Sequence, residues 1–156
     1  MSKIVVFDHD GTLVNTHGSH KFLFEGIKEL LLNLKKEGLE LFVWTSRSRG
    51  STIEILKSLG IIGAFSDIYC GNDAHPKPSV LGLKELLGEV SAQKVVVVGD
   101  SYADVLGAKN FGAYAVAALW DELANEAYLK ECGADEFVQS PAELFMSIKN
   151  YFKNKE

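Results

Sequence analysis

Four consecutive valines, Val95 to Val98, leave a strand no polar face, so both of its sides must be covered. Strands buried on both faces belong to parallel sheets with helices packed on either side, and the run Ile4-Val5-Val6-Phe7 reads the same way. Short β-branched runs alternate along the chain with stretches of helical periodicity, which predicts a doubly wound α/β fold, Rossmann-like in outline. Strands are expected at Lys3 to Phe7, Leu39 to Trp44, Ala64 to Cys70, Val95 to Val98, Tyr114 to Ala118 and near Phe137-Val138. One helix is expected from the helical spacing of Phe22, Leu23, Ile27, Leu30, Leu31 and Leu34. Others are expected over Ile53 to Leu59, Val80 to Leu87, from Asp104 onward, Leu123 to Leu129 and Leu144 to Phe152. No repeat, low-complexity tract or linker interrupts this pattern, so residues 1–156 are expected to form a single domain, enough chain to bury roughly 70% of its unfolded surface.

The first strand stops at Asp8-His9-Asp10-Gly11-Thr12. In open parallel sheets, ligands bind at the carboxyl ends of the strands, and close carboxylates there repel unless a cation or a shared proton relieves them. Other strand ends carry matching chemistry. The second offers Thr45 and Ser46, the loop after the third offers Lys77 between two prolines, and the valine strand ends in Gly99-Asp100-Ser101 with Asp104 one helical turn on. Because parallel strands present their carboxyl ends on one side, these residues can converge although they are far apart in sequence.

Several function classes are excluded or disfavoured. A net charge of −5 argues against general nucleic-acid binding, which relies on Lys and Arg. Cys70 and Cys132 are too few and too far apart for a zinc site or a disulfide framework, which fits a reducing compartment. No signal-peptide pattern opens the chain and no apolar run is long enough to cross a bilayer, so no membrane partner and a cytoplasmic location are expected. The turn around Ser101 mimics a nucleophile elbow, but His9, His17, His20 and His75 all precede it, and a serine hydrolase of that kind needs a later histidine.

With these residues in place, the chain resembles the haloacid dehalogenase superfamily of phosphohydrolases. The resemblance rests on Asp8-His9-Asp10-Gly11-Thr12-Leu13, Thr45, Lys77 and Gly99-Asp100-Ser101-Tyr102-Ala103-Asp104, four motifs in order over residues 3 to about 118. The tail around Cys132-Gly133-Ala134-Asp135 looks like the phosphoglycolate phosphatase-like branch. The resemblance implies a Mg²⁺-dependent phosphomonoester phosphatase in which Asp8 is the nucleophile and Asp10 the general acid and base. It implies that Thr45 and Lys77 hold the transferring phosphoryl group, with Ser46 and Arg47 as further substrate contacts. Metal binding would fall to Asp8, Asp10 through its main-chain carbonyl, and Asp100, with Asp104 behind them orienting Lys77 or a metal-bound water. A carboxylate about 4 Å from a phosphate dianion meets roughly 8 kcal/mol of repulsion at an effective dielectric of 20, which a lysine and a divalent cation together can cancel.

Many relatives in that superfamily carry a cap domain. Here Leu13 to Thr45 and Thr45 to Lys77 are used up by core elements, so a capless fold with an open site is expected. The polar flap Asn15 to His20 or a second copy of the chain are the candidate covers, and the substrate is a phosphorylated small molecule or a bulky phosphorylated one. His17, His20, Arg49 and His75 fall on loops beside the expected site, and Trp120 is a candidate pocket wall. The alternatives are a receiver-like phosphate-sensing module or a catalytically quiet binding scaffold. A receiver would place its phosphorylated Asp on a middle strand, and a scaffold has no use for clustered charge.

Overall fold

A computed structural model describes residues 2–156. Its centre is a six-stranded parallel sheet of β1 (Ile4–Phe7), β4 (Glu40–Trp44), β5 (Asp67–Tyr69), β6 (Val95–Gly99), β7 (Tyr114–Ala118) and β8 (Glu136–Val138). The strands run in the order β5-β4-β1-β6-β7-β8. The chain steps outward from β1 to β4 and β5, then returns to the other side of β1 at β6. This reversal makes the β1/β6 boundary the switch point where ligands of such sheets bind.

Alternation along the strands divides the core in two. Val5, Phe7, Leu41, Val43, Val96 and Val98 face α1 (Ile27–Lys36), α2 (Arg49–Ser58) and α6 (Pro141–Lys153). Ile4, Val6, Phe42, Trp44, Val95 and Val97 face α3 (Val80–Leu87), α4 (Tyr102–Phe111) and α5 (Glu126–Glu131). The valine run is buried along its whole length, as the sequence requires. Register pairs Phe7 with Val43 on one side and with Val98 on the other, so the ends of β1, β4 and β6 lie level.

Three elements depart from expectation. Phe22 and Leu23 form β3, which pairs antiparallel with β2 (Val14–Asn15), and the first helix begins only at Ile27. Gly26, at φ 89, turns the chain in the left-handed region between the two and stops the helical spacing from extending backward. The segment expected as a strand from Ala64 holds a 3₁₀ turn at Ile62–Ala64, and β5 is confined to Asp67–Tyr69. The helix expected from Leu123 starts at Glu126, because the Asn125 side chain accepts the Tyr128 N–H as its cap and leaves Leu123 outside, 71% exposed.

Between β1 and β4 the chain forms only the β2–β3 hairpin and α1, and between β4 and Lys77 only α2, the 3₁₀ turn and β5. No cap is inserted at either place. Among the described residues no helix is long and apolar enough to cross a membrane.

Candidate active site

At the carboxyl edge of the sheet, Asp8, Asp10, Thr45, Ser46, Arg47, Lys77, Asp100 and Ser101 line one open cavity of about 430 Å³. It brings together every residue to which the resemblance gives a catalytic, substrate-binding or metal-binding role except Asp104, which is buried and does not line it. Asp8 leaves the end of β1 with its backbone N–H bonded to Val98 O at 2.9 Å, fixing the turn against β6. Lys77 reaches in from the loop before α3. Its Nζ donates to Asp8 Oδ1 at 2.9 Å and to Asp104 Oδ1, and lies 5.0 Å from the centre of the Trp44 ring. Burial works against the lysine's charge, yet Asp104 and Asp8 hold its pKa above the usual range. Asp104 closes the capping box of α4: its Oδ2 accepts from the Ser101 N–H at 3.1 Å and the Ser101 hydroxyl at 2.8 Å.

Asp8, Asp100 and Asp104 each present a carboxylate oxygen within 4.8 Å of the others. Three clustered carboxylates with one ammonium, bonded to two of them, leave two uncompensated negative charges in a largely buried setting. Burial pushes the Asp8 carboxyl up to about 7, against the pull of Lys77, and Asp100 adds to the rise. Burial raises the Asp100 pKa as well. An all-oxygen donor set with that charge excess fits a hard divalent cation such as Mg²⁺. The backbone packs tightly against the cluster: Gly11, at φ +81, passes so close that a Cβ there would sit 2.0 Å from Asp100 Oδ2. Gly11→Ala should therefore displace Asp100 and weaken binding of a divalent cation held by this cluster by roughly 10–100-fold, read from the Mg²⁺ concentration needed to raise the melting temperature.

The charge excess also gives a pH dependence. With chelator present, folded Asp8 keeps its proton to about pH 7, whereas the unfolded chain releases it near the ordinary carboxylate value of 3.8. The folded state thus binds more protons across that window, so stability must fall as pH rises from about 4 to 7. Excess Mg²⁺ should flatten the slope. Melting temperatures at pH 5, 6 and 7.5, with chelator and with Mg²⁺, check this.

Asp10 points to a different set of partners. Its Oδ1 accepts from Arg47 Nε at 2.9 Å and pairs with His9 Nδ1 at 2.6 Å, while Oδ2 accepts from Arg47 Nη2 at 2.7 Å and Thr16 Oγ1 at 3.1 Å. Burial opposes ionisation, but the hydrogen bonds from His9 and Arg47 outweigh it and hold the carboxyl well below its usual range. The Asp10 side chain therefore stays outside the three-carboxylate cluster. Thr45, at the end of β4, is buried, and its Oγ1 accepts the Arg47 N–H at 3.1 Å. Ser46 is exposed at the cavity rim.

Other side chains take part that sequence reasoning passed over. Thr12 is fully buried, and its hydroxyl lies 3.5 Å from Asp8 Oδ2 and 3.4 Å from Asp100 Oδ1, between the two carboxylates. Its place within the Asp-Gly-Thr turn was the available signal. Asp121, buried after β7, pairs with His17 Nε2 at 2.7 Å and ties the hairpin loop to the sheet edge. Trp120, expected as a candidate pocket wall, does not line the cavity; its indole N–H donates to Thr12 O at 2.9 Å and braces the first turn. Arg49 pairs with Asp73 and His75 with Glu85 at 3.2 Å, while His20 borders a separate depression beside α2; none of the three lines the cavity.

Known proteins resemble this chain in sequence and in fold. A sequence model described as haloacid dehalogenase-like hydrolase matches residues 17–118, a segment that holds Thr45, Lys77, Asp100 and Asp104 and begins after Asp8 and Asp10. The phosphoglycolate phosphatase of Vibrio cholerae is 36% identical over 96 residues, covering 59% of this chain and 42% of that protein. The pyrophosphatase PpaX of Bacillus mycoides is 29% identical over 127 residues, covering 78% of this chain and 57% of that protein. The chain thus spans about half the length of these curated relatives. In fold, a haloacid dehalogenase-like family hydrolase from Streptococcus pneumoniae superposes with a TM-score of 0.82 at 19% identity, over 94% of this chain and 98% of that one. Since the matched segment takes in more than half of the chain, the protein belongs to the haloacid dehalogenase-like hydrolases.

Proposed function

We propose that this protein is a Mg²⁺-dependent phosphatase that hydrolyses phosphomonoesters through an aspartyl-phosphate on Asp8. The observation that carries the reading is the cluster of Asp8, Asp100 and Asp104 at an open cavity, with Lys77 bonded to Asp8 and Asp104. Asp8 Oδ1 takes the hydrogen bond from Lys77, while Oδ2 has a long contact to Thr12. That oxygen attacks phosphorus. The Asp8–phosphorus bond forms as the bond to the leaving oxygen breaks, and the leaving oxygen takes a proton through Asp10, whose carboxylate is ionised in the free protein and gains that proton from water as the substrate binds. In the second half Asp10 takes a proton from water, the water oxygen bonds to phosphorus, and the Asp8 carboxylate is released.

Lys77 and the Thr45 hydroxyl meet the oxygens of the transferring group, where charge accumulates in the transition state. Asp8, Asp100 and the main-chain carbonyl of Asp10 would hold the Mg²⁺, with Asp104 fixing Lys77 behind them. When bound, the cation supplies the positive charge that lets a carboxylate approach a phosphate. The cavity of about 430 Å³ has room for a small phosphorylated molecule, and with no cap above it a larger one can also reach Asp8. Cys70 and Cys132 are both free thiols, in keeping with a cytoplasmic site of action.

Phosphate release from a broad panel of phosphomonoesters, with Mg²⁺ and with chelator, tests the reading. Turnover that needs Mg²⁺ is expected. A folded protein inactive on every member would support a binding role instead.

A further inference from the structure

We propose that Arg47 is the receptor for a second anionic group on the substrate, a phosphate or carboxylate a few atoms from the reacting phosphate, and that this group replaces Asp10 on the guanidinium. The inference rests on the phosphatase reading only in naming the bound molecule as substrate.

Of the residues lining the cavity, Lys77 and Arg47 are the cations. Lys77 is committed to Asp8 and Asp104, with its side chain 2% exposed. Arg47 is 23% exposed and faces the open part of the cavity, so a second anion entering beside the first has Arg47 to meet. Its fork is already oriented. The Nη1 donates to Ser51 Oγ at 2.8 Å from the first turn of α2, and the backbone N–H is held by Thr45. Nε and Nη2 together grip a carboxylate, that of Asp10, and a two-point grip on carboxylate is equally a two-point grip on phosphate.

Asp10 can be given up because its carboxylate is supplied with four donors. Removing Arg47 leaves His9 on Oδ1 and Thr16 on Oδ2, so each oxygen retains a partner and the side chain retains its orientation. The exchange also clears one partner from each Asp10 oxygen at the moment a substrate arrives. The pairing of Arg47 with Asp10 thus acts as a placeholder for the substrate's own anion.

Two non-hydrolysable pairs test this by calorimetry in excess Mg²⁺: phosphonoacetate against methylphosphonate for a carboxylate, and methylenediphosphonate against methylphosphonate for a second phosphate. Wild type should favour at least one of the two probes that carry a second anionic group by about tenfold or more, and Arg47→Ala should bring that ratio to within about threefold of unity. Arg47→Lys, which keeps the charge without the fork, should fall between. Melting curves establish that both variants are folded. Absence of preference in wild type, or an equal preference in Arg47→Ala, would overturn the assignment. If the preference follows Arg47 but no ester is hydrolysed, the assignment stands and the phosphatase reading fails. Hydrolysis without the preference gives the reverse.

Discussion

Replacing Asp8 with Asn should lower phosphatase turnover by roughly five orders of magnitude, the scale of losing an essential nucleophile. The substitution keeps the shape of the side chain, and the amide oxygen can still accept from Lys77. It removes one of three clustered carboxylates, one whose ionisation burial strongly opposes. The variant should accordingly be no less stable than wild type at pH 7.5 in chelator, and it should lose much of the fall in stability between pH 4 and 7. Lost turnover together with retained melting temperature would separate a chemical role from a structural one. Turnover reduced less than about tenfold would remove Asp8 as the nucleophile.

Lys77→Met is the second large effect, and it acts on the fold as well as on the reaction. The ammonium is buried between Asp8 and Asp104, whose side chains are 9% and 1% exposed. Removing one partner of such a group strands the others, at a cost of about 3–5 kcal/mol. For a domain of this size that is a fall of roughly 10 °C in melting temperature. Asp104→Asn on top of Lys77→Met should recover part of the loss, because it removes one of the stranded charges. Denaturant titrations in chelator read both variants. A change under about 1 kcal/mol for Lys77→Met would mean that the lysine is not the counter-charge of this cluster. Turnover should also collapse, since Lys77 is the lining cation bonded to Asp8, where the transferring group would be held.

The sheet was legible in the sequence because strands buried on both faces must be apolar throughout, as Ile4 to Phe7 and Val95 to Val98 are. Convergence of Asp8, Thr45, Lys77 and Asp100 followed from topology, since parallel strands end on one side. Boundaries were harder wherever apolar spacing ran across a break in the backbone. Phe22 and Leu23 fit the helical stripe of Ile27 to Leu34, and the turn at Gly26 is a backbone event that spacing does not register. Leu123 failed for a related reason, lying outside a helix whose start is set by the Asn125 side chain.

Contacts between distant loops left less of a trace. Arg47 and Asp10 lie 37 positions apart, and nothing in either segment marks them as a pair. The same holds for His17 with Asp121 and for Trp120 with Thr12 O, which tie the hairpin and the first turn to the loop after β7. Arg47 was legible as a cation near the site, but its two-point hold on Asp10 was not. That hold depends on Ser51 and on how β4 hands over to α2.

Acid-quenching the enzyme during turnover and mapping its peptides by mass spectrometry tests the central claim most directly. The account predicts a phosphoryl group on the peptide that carries Asp8, accumulating further in Asp10→Asn, where the water-activating base is missing, and absent from Asp8→Asn. Steady phosphate release with no phosphorylated Asp8 peptide in either protein, or a phosphoryl group on another residue, would contradict it.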